Sequence, residues 1–351
     1  MKNRKKAALN ILFLAGVFGL TFYLLLKDQE LSGIWASLQQ AQPGWLIAGL
    51  LLVIVFVCSE SVIIHYMMGK LEGIRPKLGQ CVKYSFVGFF YSCVTPSASG
   101  GQPMQVYYMK KDGIPVSVST LVLMVITILY KLVLVVFGLL ILAFLPGLME
   151  TYLSDTKFFL YLGLGLNILF ISGMLILVFA PSFAKRLAMG ILRLLERIHI
   201  IKEKEERRRR LAASMDKYHA TAQALERHKS VLATAFMITV FQRICLFLVT
   251  WLVYKSFGFS GTPLWKIVML QSVISIDVDM LPLPGGIGAS ESLFLHIFMP
   301  VFGSAMVLPA MLLSRGINYY ALVLISAAVS LYAHLTAGRR QSTIGREEKE
   351  S

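Results

Sequence analysis

Thr95-Pro96-Ser97-Ala98-Ser99-Gly100-Gly101-Gln102-Pro103 interrupts one long hydrophobic stretch of this chain, and Leu281-Pro282-Leu283-Pro284-Gly285-Gly286-Ile287-Gly288 interrupts another. Paired glycines beside prolines cannot continue a helix, because proline lacks the donor N–H and glycine is too free to order cheaply. Hydrocarbon offers a broken backbone no hydrogen-bond partners, so such a break survives only inside protein or along a wet cavity. Each interruption therefore points to a site.

A membrane setting follows from composition. Hydrophobic residues make up 56% of the chain and charged residues 15%, with a mean hydropathy of +0.69; an average soluble domain is about one-quarter charged. Apolar runs long enough to cross a bilayer recur from end to end. The first, Ala7 to Leu26, follows Lys2, Arg4, Lys5 and Lys6 and has the outline of a signal peptide. Its apolar length of about 20 residues and its lack of a small-x-small cleavage site favour a retained helix.

Lysine and arginine near helix ends orient the segments. The rich stretches are the N-terminus, Lys70 to Lys83, Pro181 to Ser230 and the tail after Gly338, and these are expected in the cytoplasm. Lys27 to Pro43, Pro146 to Lys157 and Lys255 to Pro263 are poor and are expected outside. The resulting path runs outward over Ala7–Leu26 and inward over Gly44–Met68, then through a broken segment at Gly79–Lys110. It continues outward over Pro115–Leu145, inward over Phe158–Ala180 and outward over Val231–Tyr254, through a second broken segment at Leu264–Met299, and inward over Gly303–His334. With both termini cytoplasmic, each broken segment must enter and leave on one face. The expected fold is an all-α polytopic membrane protein, one membrane domain over 1–351 with a basic connection at 181–230 and a tail at 338–351. It has about six full spans plus two re-entrant glycine-proline hairpins, the first dipping from the cytoplasm and the second from outside.

Gly100-Gly101 and Gly285-Gly286 lie 185 positions apart, and Lys131 and Arg315, each in the long span that follows, lie 184 apart. Similar units inserted oppositely form an inverted repeat, which places a substrate site near the bilayer midplane between broken helices. Two unrelated kinks are the alternative. Lys131, Arg243 and Arg315 each fall near the centre of an apolar segment, where insertion costs about 2.5–3.5 kcal/mol per cation. They must face protein or water. Glu60, Asp277, Asp279 and Glu291 are available as ion-pair partners or as proton carriers. The same cations, with the amides of Gly100, Gly101, Gly285 and Gly286 and the hydroxyls of Ser97 and Ser99, suit an anionic lipid phosphate.

At these residues the chain resembles a known family. Tyr91 to Pro103, Leu281 to Glu291 and Leu313-Ser314-Arg315-Gly316-Ile317-Asn318-Tyr319-Tyr320 look like signatures of the lysylphosphatidylglycerol synthase transmembrane family. That family includes the membrane half of the bacterial multiple peptide resistance factor. The resemblance implies a bacterial plasma-membrane protein that flips phosphatidylglycerol or its lysyl form, supporting resistance to cationic antimicrobial peptides. It carries Pro96, Ser97, Gly100, Gly101, Pro103, Pro282, Pro284, Gly285, Gly286, Gly288, Glu291, Arg315 and Tyr319 over as motif positions. At Lys131 the family more often shows arginine, and lysine keeps the charge but lacks the planar fork. Two-part members add a cytoplasmic domain that transfers lysine from lysyl-tRNA to the lipid. Here the largest soluble piece, 181–230, is marginal for any independent domain. A separate synthase chain is therefore the expected partner of any lysyltransferase activity.

Other chemistry is sparse. Cys58, Cys81, Cys93 and Cys245 lack metal-ligand spacing, His65 and His296 have no clustered partner, and no Walker-type loop occurs, so neither metal nor cofactor is expected. The net charge of +15 fits topology plus attraction to anionic head groups. Lys202 to Arg210 mixes its cations with Glu203, Glu205 and Glu206, which suits a solvated helix better than a tRNA or DNA contact. Three functions remain open: a flippase for an anionic or aminoacylated phospholipid, a phosphatidylglycerol lysyltransferase, and a membrane partner that transports nothing.

Overall fold

Apolar segments in hydrocarbon must satisfy their own backbone groups, and helices do so within one segment. The computed structural model describes residues 31–154, 156–198 and 205–350, and among these the ordered elements are all helical. The span expected at Ala7–Leu26 lies outside the described residues. In chain order come α1 (Leu31–Gln39), α2 (Pro43–Glu72), α3 (Leu78–Cys93) and α4 (Gly101–Lys111). Next are α5 (Val116–Phe144), α6 (Pro146–Tyr152), α7 (Lys157–Phe179), α8 (Pro181–Arg197) and α9 (Glu205–Arg227). The second half holds α10 (Lys229–Ser256), α11 (Leu264–Val278), α12 (Ala289–Phe302), α13 (Val307–Arg315) and α14 (Leu322–Glu350). A six-residue π-helix, Gly316–Ala321, joins α13 to α14.

Among the described residues, six stretches are long and apolar enough to cross a membrane: α2, α5, α7, α10, Pro284–Phe302 and Val307–Thr336. The chain is a multi-pass membrane protein. Packing shows that Pro284–Phe302 is not a full crossing but the returning limb of a hairpin. Its end meets the start of that hairpin, because the Phe302 ring lies 5.6 Å from Tyr254 and 6.0 Å from Phe259, just before α11. The tyrosine hydroxyl also accepts the Thr262 amide at 2.8 Å.

The first hairpin closes the same way on the opposite face. Lys83, near the start of α3, pairs with Asp112, just past α4, at 2.6 Å. That base lies level with the end of α2, where Glu72 accepts from Thr221 of α9 and His65 meets the Pro76 carbonyl at 2.8 Å. Helices α2 and α10 run antiparallel through the centre: Trp45 packs edge-on to Trp251, and Gln242 donates to the Phe56 carbonyl at 2.9 Å. Each hairpin thus follows one of two oppositely directed central spans and enters from the face where that span ends. The face bearing 73–77, α8 and α9 is called the basic face below.

The repeat is real in shape, but its register differs from the glycine-pair alignment. Both tips are short 3-10 turns opened by a proline, Pro96–Ala98 and Pro284–Gly286, each with two consecutive left-handed residues. Those residues are Ser97 and Ala98 (φ +52° and +53°) in one tip and Gly285 and Gly286 (φ +58° and +65°) in the other. Gly100 and Gly288 are the residues that precede the second limbs. The geometric offset is therefore 188, Pro96 to Pro284 and Gly100 to Gly288, rather than 185. Glycine is needed at different steps of the two turns, so matching glycine pairs misaligns them by three.

Candidate functional site

The two tips touch. Cys93 at the end of α3, Ile287 just beyond the second tip and Tyr319 of the π-helix form one small buried cluster, and the Tyr319 hydroxyl donates to the Cys93 carbonyl at 3.3 Å. Tyr319 also explains Gly285: a Cβ there would run into the phenol ring. In the first hairpin the limbs close because Gly88 and Gly101 present no side chain, one to Gln105 and the other to Ser92.

Two ion pairs fasten the second hairpin to neighbouring spans. Lys131, at the middle of α5, pairs with Asp279, which also accepts from the Tyr130 hydroxyl. Arg315, at the end of α13, bonds Glu291 through Nε at 2.7 Å and the Gly285 carbonyl through Nη2 at 3.2 Å. Glu291 is fully buried and its other oxygen accepts the Gly288 amide at 2.7 Å, an arrangement that also suits a carboxylate at the N-terminus of α12. Tyr320 donates to the same carboxylate at 3.2 Å.

The third cation is held differently. Arg243, at the middle of α10, lays its guanidinium over the Tyr130 ring at 3.7 Å and near Phe56 at 5.1 Å. Its Nε is buried and has no hydrogen-bond partner among the described residues. Glu60 and Asp279 lie within its electrostatic reach, and Glu60 is occupied by Gln105 of α4, which donates to it at 2.6 Å. A chain of polar groups therefore runs from the first hairpin to the second: Gln105, Glu60, Arg243, Tyr130, Asp279, Lys131.

Of the residues singled out from sequence, Lys131 with Asp279, Arg315 with Glu291, Gly285 and Tyr319, and Arg243 with Glu60 come together. Asp277 is buried, and among the described residues it joins no cation and neither of its oxygens has a partner. Ser97 and Ser99 sit exposed on the first tip, and the Gly100 amide is taken by Thr95 Oγ1 at 2.8 Å. Gly101 and Gly286 are buried packing positions. Sequence reasoning missed Gln105 and Tyr130, the bridging members, and Gln102, whose amide donates to Thr127 of α5. Polar residues in the limb after the first break were the available signal. No group of His, Cys, Asp and Glu side chains among the described residues could hold a metal ion.

No curated protein matches the chain. The family described as Lysylphosphatidylglycerol synthase TM region matches residues 8–326, nearly the whole chain and every element of the site, and the protein belongs to that family.

Proposed function

We propose that the chain moves an anionic or aminoacylated phospholipid, phosphatidylglycerol or its lysyl form, across a bacterial plasma membrane. The observation that carries this reading is the meeting of two oppositely inserted hairpins, with exposed polar residues Ser97, Ser99 and Gln102 around the first tip. Exposed hydroxyl and amide groups between apolar spans provide a path for a head group while its tails stay in hydrocarbon. Arg243 is the cation best suited to receive the phosphate, because Lys131 and Arg315 already hold carboxylates whereas its Nε is unused among the described residues. The basic face is cytoplasmic in this reading, by the lysine and arginine excess of 73–77, α8 and α9.

The test is reconstitution of the purified chain in vesicles with labelled phosphatidylglycerol and lysylphosphatidylglycerol. Lipid crossing above protein-free vesicles is expected, with Arg243→Gln lowering the rate by about tenfold or more and Arg243→Lys retaining part of it. No crossing of either lipid, or a rate unchanged in Arg243→Gln, would overturn the proposal. Lysylated lipid formed from charged tRNA by the chain alone would assign the transferase reading instead.

A further inference from the structure

Helix α8 was expected only as part of a basic connection, yet it has three distinct faces. Ala184, Leu192 and Glu196 are buried against α9, where Glu196 takes Arg208 at 2.7 Å and Lys185 takes Asp216 at 2.6 Å. Beside that face Phe183, Leu187, Ile191, Leu194 and Ile198 form a stripe at helical spacing, each 43–57% exposed. On the stripe's other side lie Arg186, Arg193 and Arg197, all exposed. Apolar side chains this large gain nothing from water and would not be left in it as a continuous stripe.

Connectivity says what covers them. Span α7 ends at Phe179 and α8 begins at Pro181, so only Ala180 separates the helix from the end of a membrane crossing. A helix leaving the bilayer there lies at head-group level, and an apolar stripe flanked by arginines is the pattern of an interfacial helix on an anionic surface. We propose that α8 lies in the basic-face leaflet, its stripe among the acyl chains and Arg186, Arg193 and Arg197 on anionic lipid phosphates. Through α9, which contacts Glu72 at the end of α2 and the Leu177 carbonyl of α7, the leaflet then braces the ends of those two spans.

The test reads α8 alone and needs no lipid movement, so its outcome is separate from that of the transport proposal. Nitroxides are placed on Ile191→Cys and, separately, Arg193→Cys in the full chain, in vesicles of phosphatidylcholine with phosphatidylglycerol. Signal from the unsubstituted chain, with its four native cysteines, is subtracted. The label at 191 is expected to collide with lipid-dissolved oxygen in preference to a water-soluble nickel chelate, and the label at 193 to show the reverse. Removing phosphatidylglycerol should raise nickel access at 191. Neutralising Arg186, Arg193 and Arg197 to glutamine should do the same, insertion weakening by about fivefold for each arginine replaced. Equal nickel access at 191 and 193 would overturn the proposal, and so would shielding of 191 from both reagents, which means a protein contact. Insertion indifferent to lipid charge would overturn the role given to the arginines.

Discussion

Lys131 and Asp279 form a salt bridge that is almost wholly out of solvent, and a buried pair broken on one side leaves a charge with no counterpart. Lys131→Met should therefore destabilise the chain by about 3–5 kcal/mol, whereas Lys131→Met with Asp279→Leu should recover most of that loss. Thermal unfolding in detergent measures both. Backbone strain makes a second test at the tips. Ala98 sits at φ +53°, where a Cβ is unfavourable, so Ala98→Gly should stabilise by about 1 kcal/mol. Gly285→Ala combines the same backbone penalty with a collision against the Tyr319 ring, and should cost about 3 kcal/mol or more. Equal effects of the two changes would mean that the tips are not built as described. Lys131, Arg243 and Arg315 were legible from sequence because a cation in an apolar run needs a partner. Which acid each would choose was not, since Asp277 and Asp279 are two residues apart and only one reaches Lys131.

The first hairpin is clasped at its base and bonded again further along, where Gln105 meets Glu60 and Gln102 meets Thr127. Asp112 binds both Lys83 and the Tyr84 hydroxyl, tying the entry of α3 to the exit of α4. Asp112→Asn removes the charge from that clasp and should cost about 1–3 kcal/mol, with faster hydrogen exchange in Gly101–Lys111 than in α2. Uniform exchange across both helices would show that the base does not control the hairpin. The second hairpin is held nearer its tip, by Glu291 with Arg315 and by Asp279 with Lys131. The broken segments were legible because proline and glycine stop helices locally. The π-helix at Gly316–Ala321 was not, because Gly303–His334 reads as one apolar run and the bulge shows only in how Tyr319 reaches the opposite hairpin.

Across the whole molecule the central spans α2 and α10 run antiparallel and each precedes a hairpin, so the two halves are related by inversion. Cysteines at Lys77 and Ser260 should accordingly be modified by impermeant reagents from opposite sides of sealed vesicles, and labelling of both from one side would refute the topology. Hydrophobic runs, helix-stopping motifs and the asymmetry of basic residues are properties of neighbouring positions, and from them the chain's membrane class and its two breaks follow directly, while the family resemblance rests on the motif residues themselves. Tertiary structure alone decided that the tips meet and that the repeat register is 188. It alone decided that Lys131 and Arg315 carry carboxylates of the same hairpin and that Gln105 and Tyr130 link the two halves. Those are contacts between residues as far as 226 positions apart, and composition and periodicity describe only what a segment needs buried, not which distant segment will bury it.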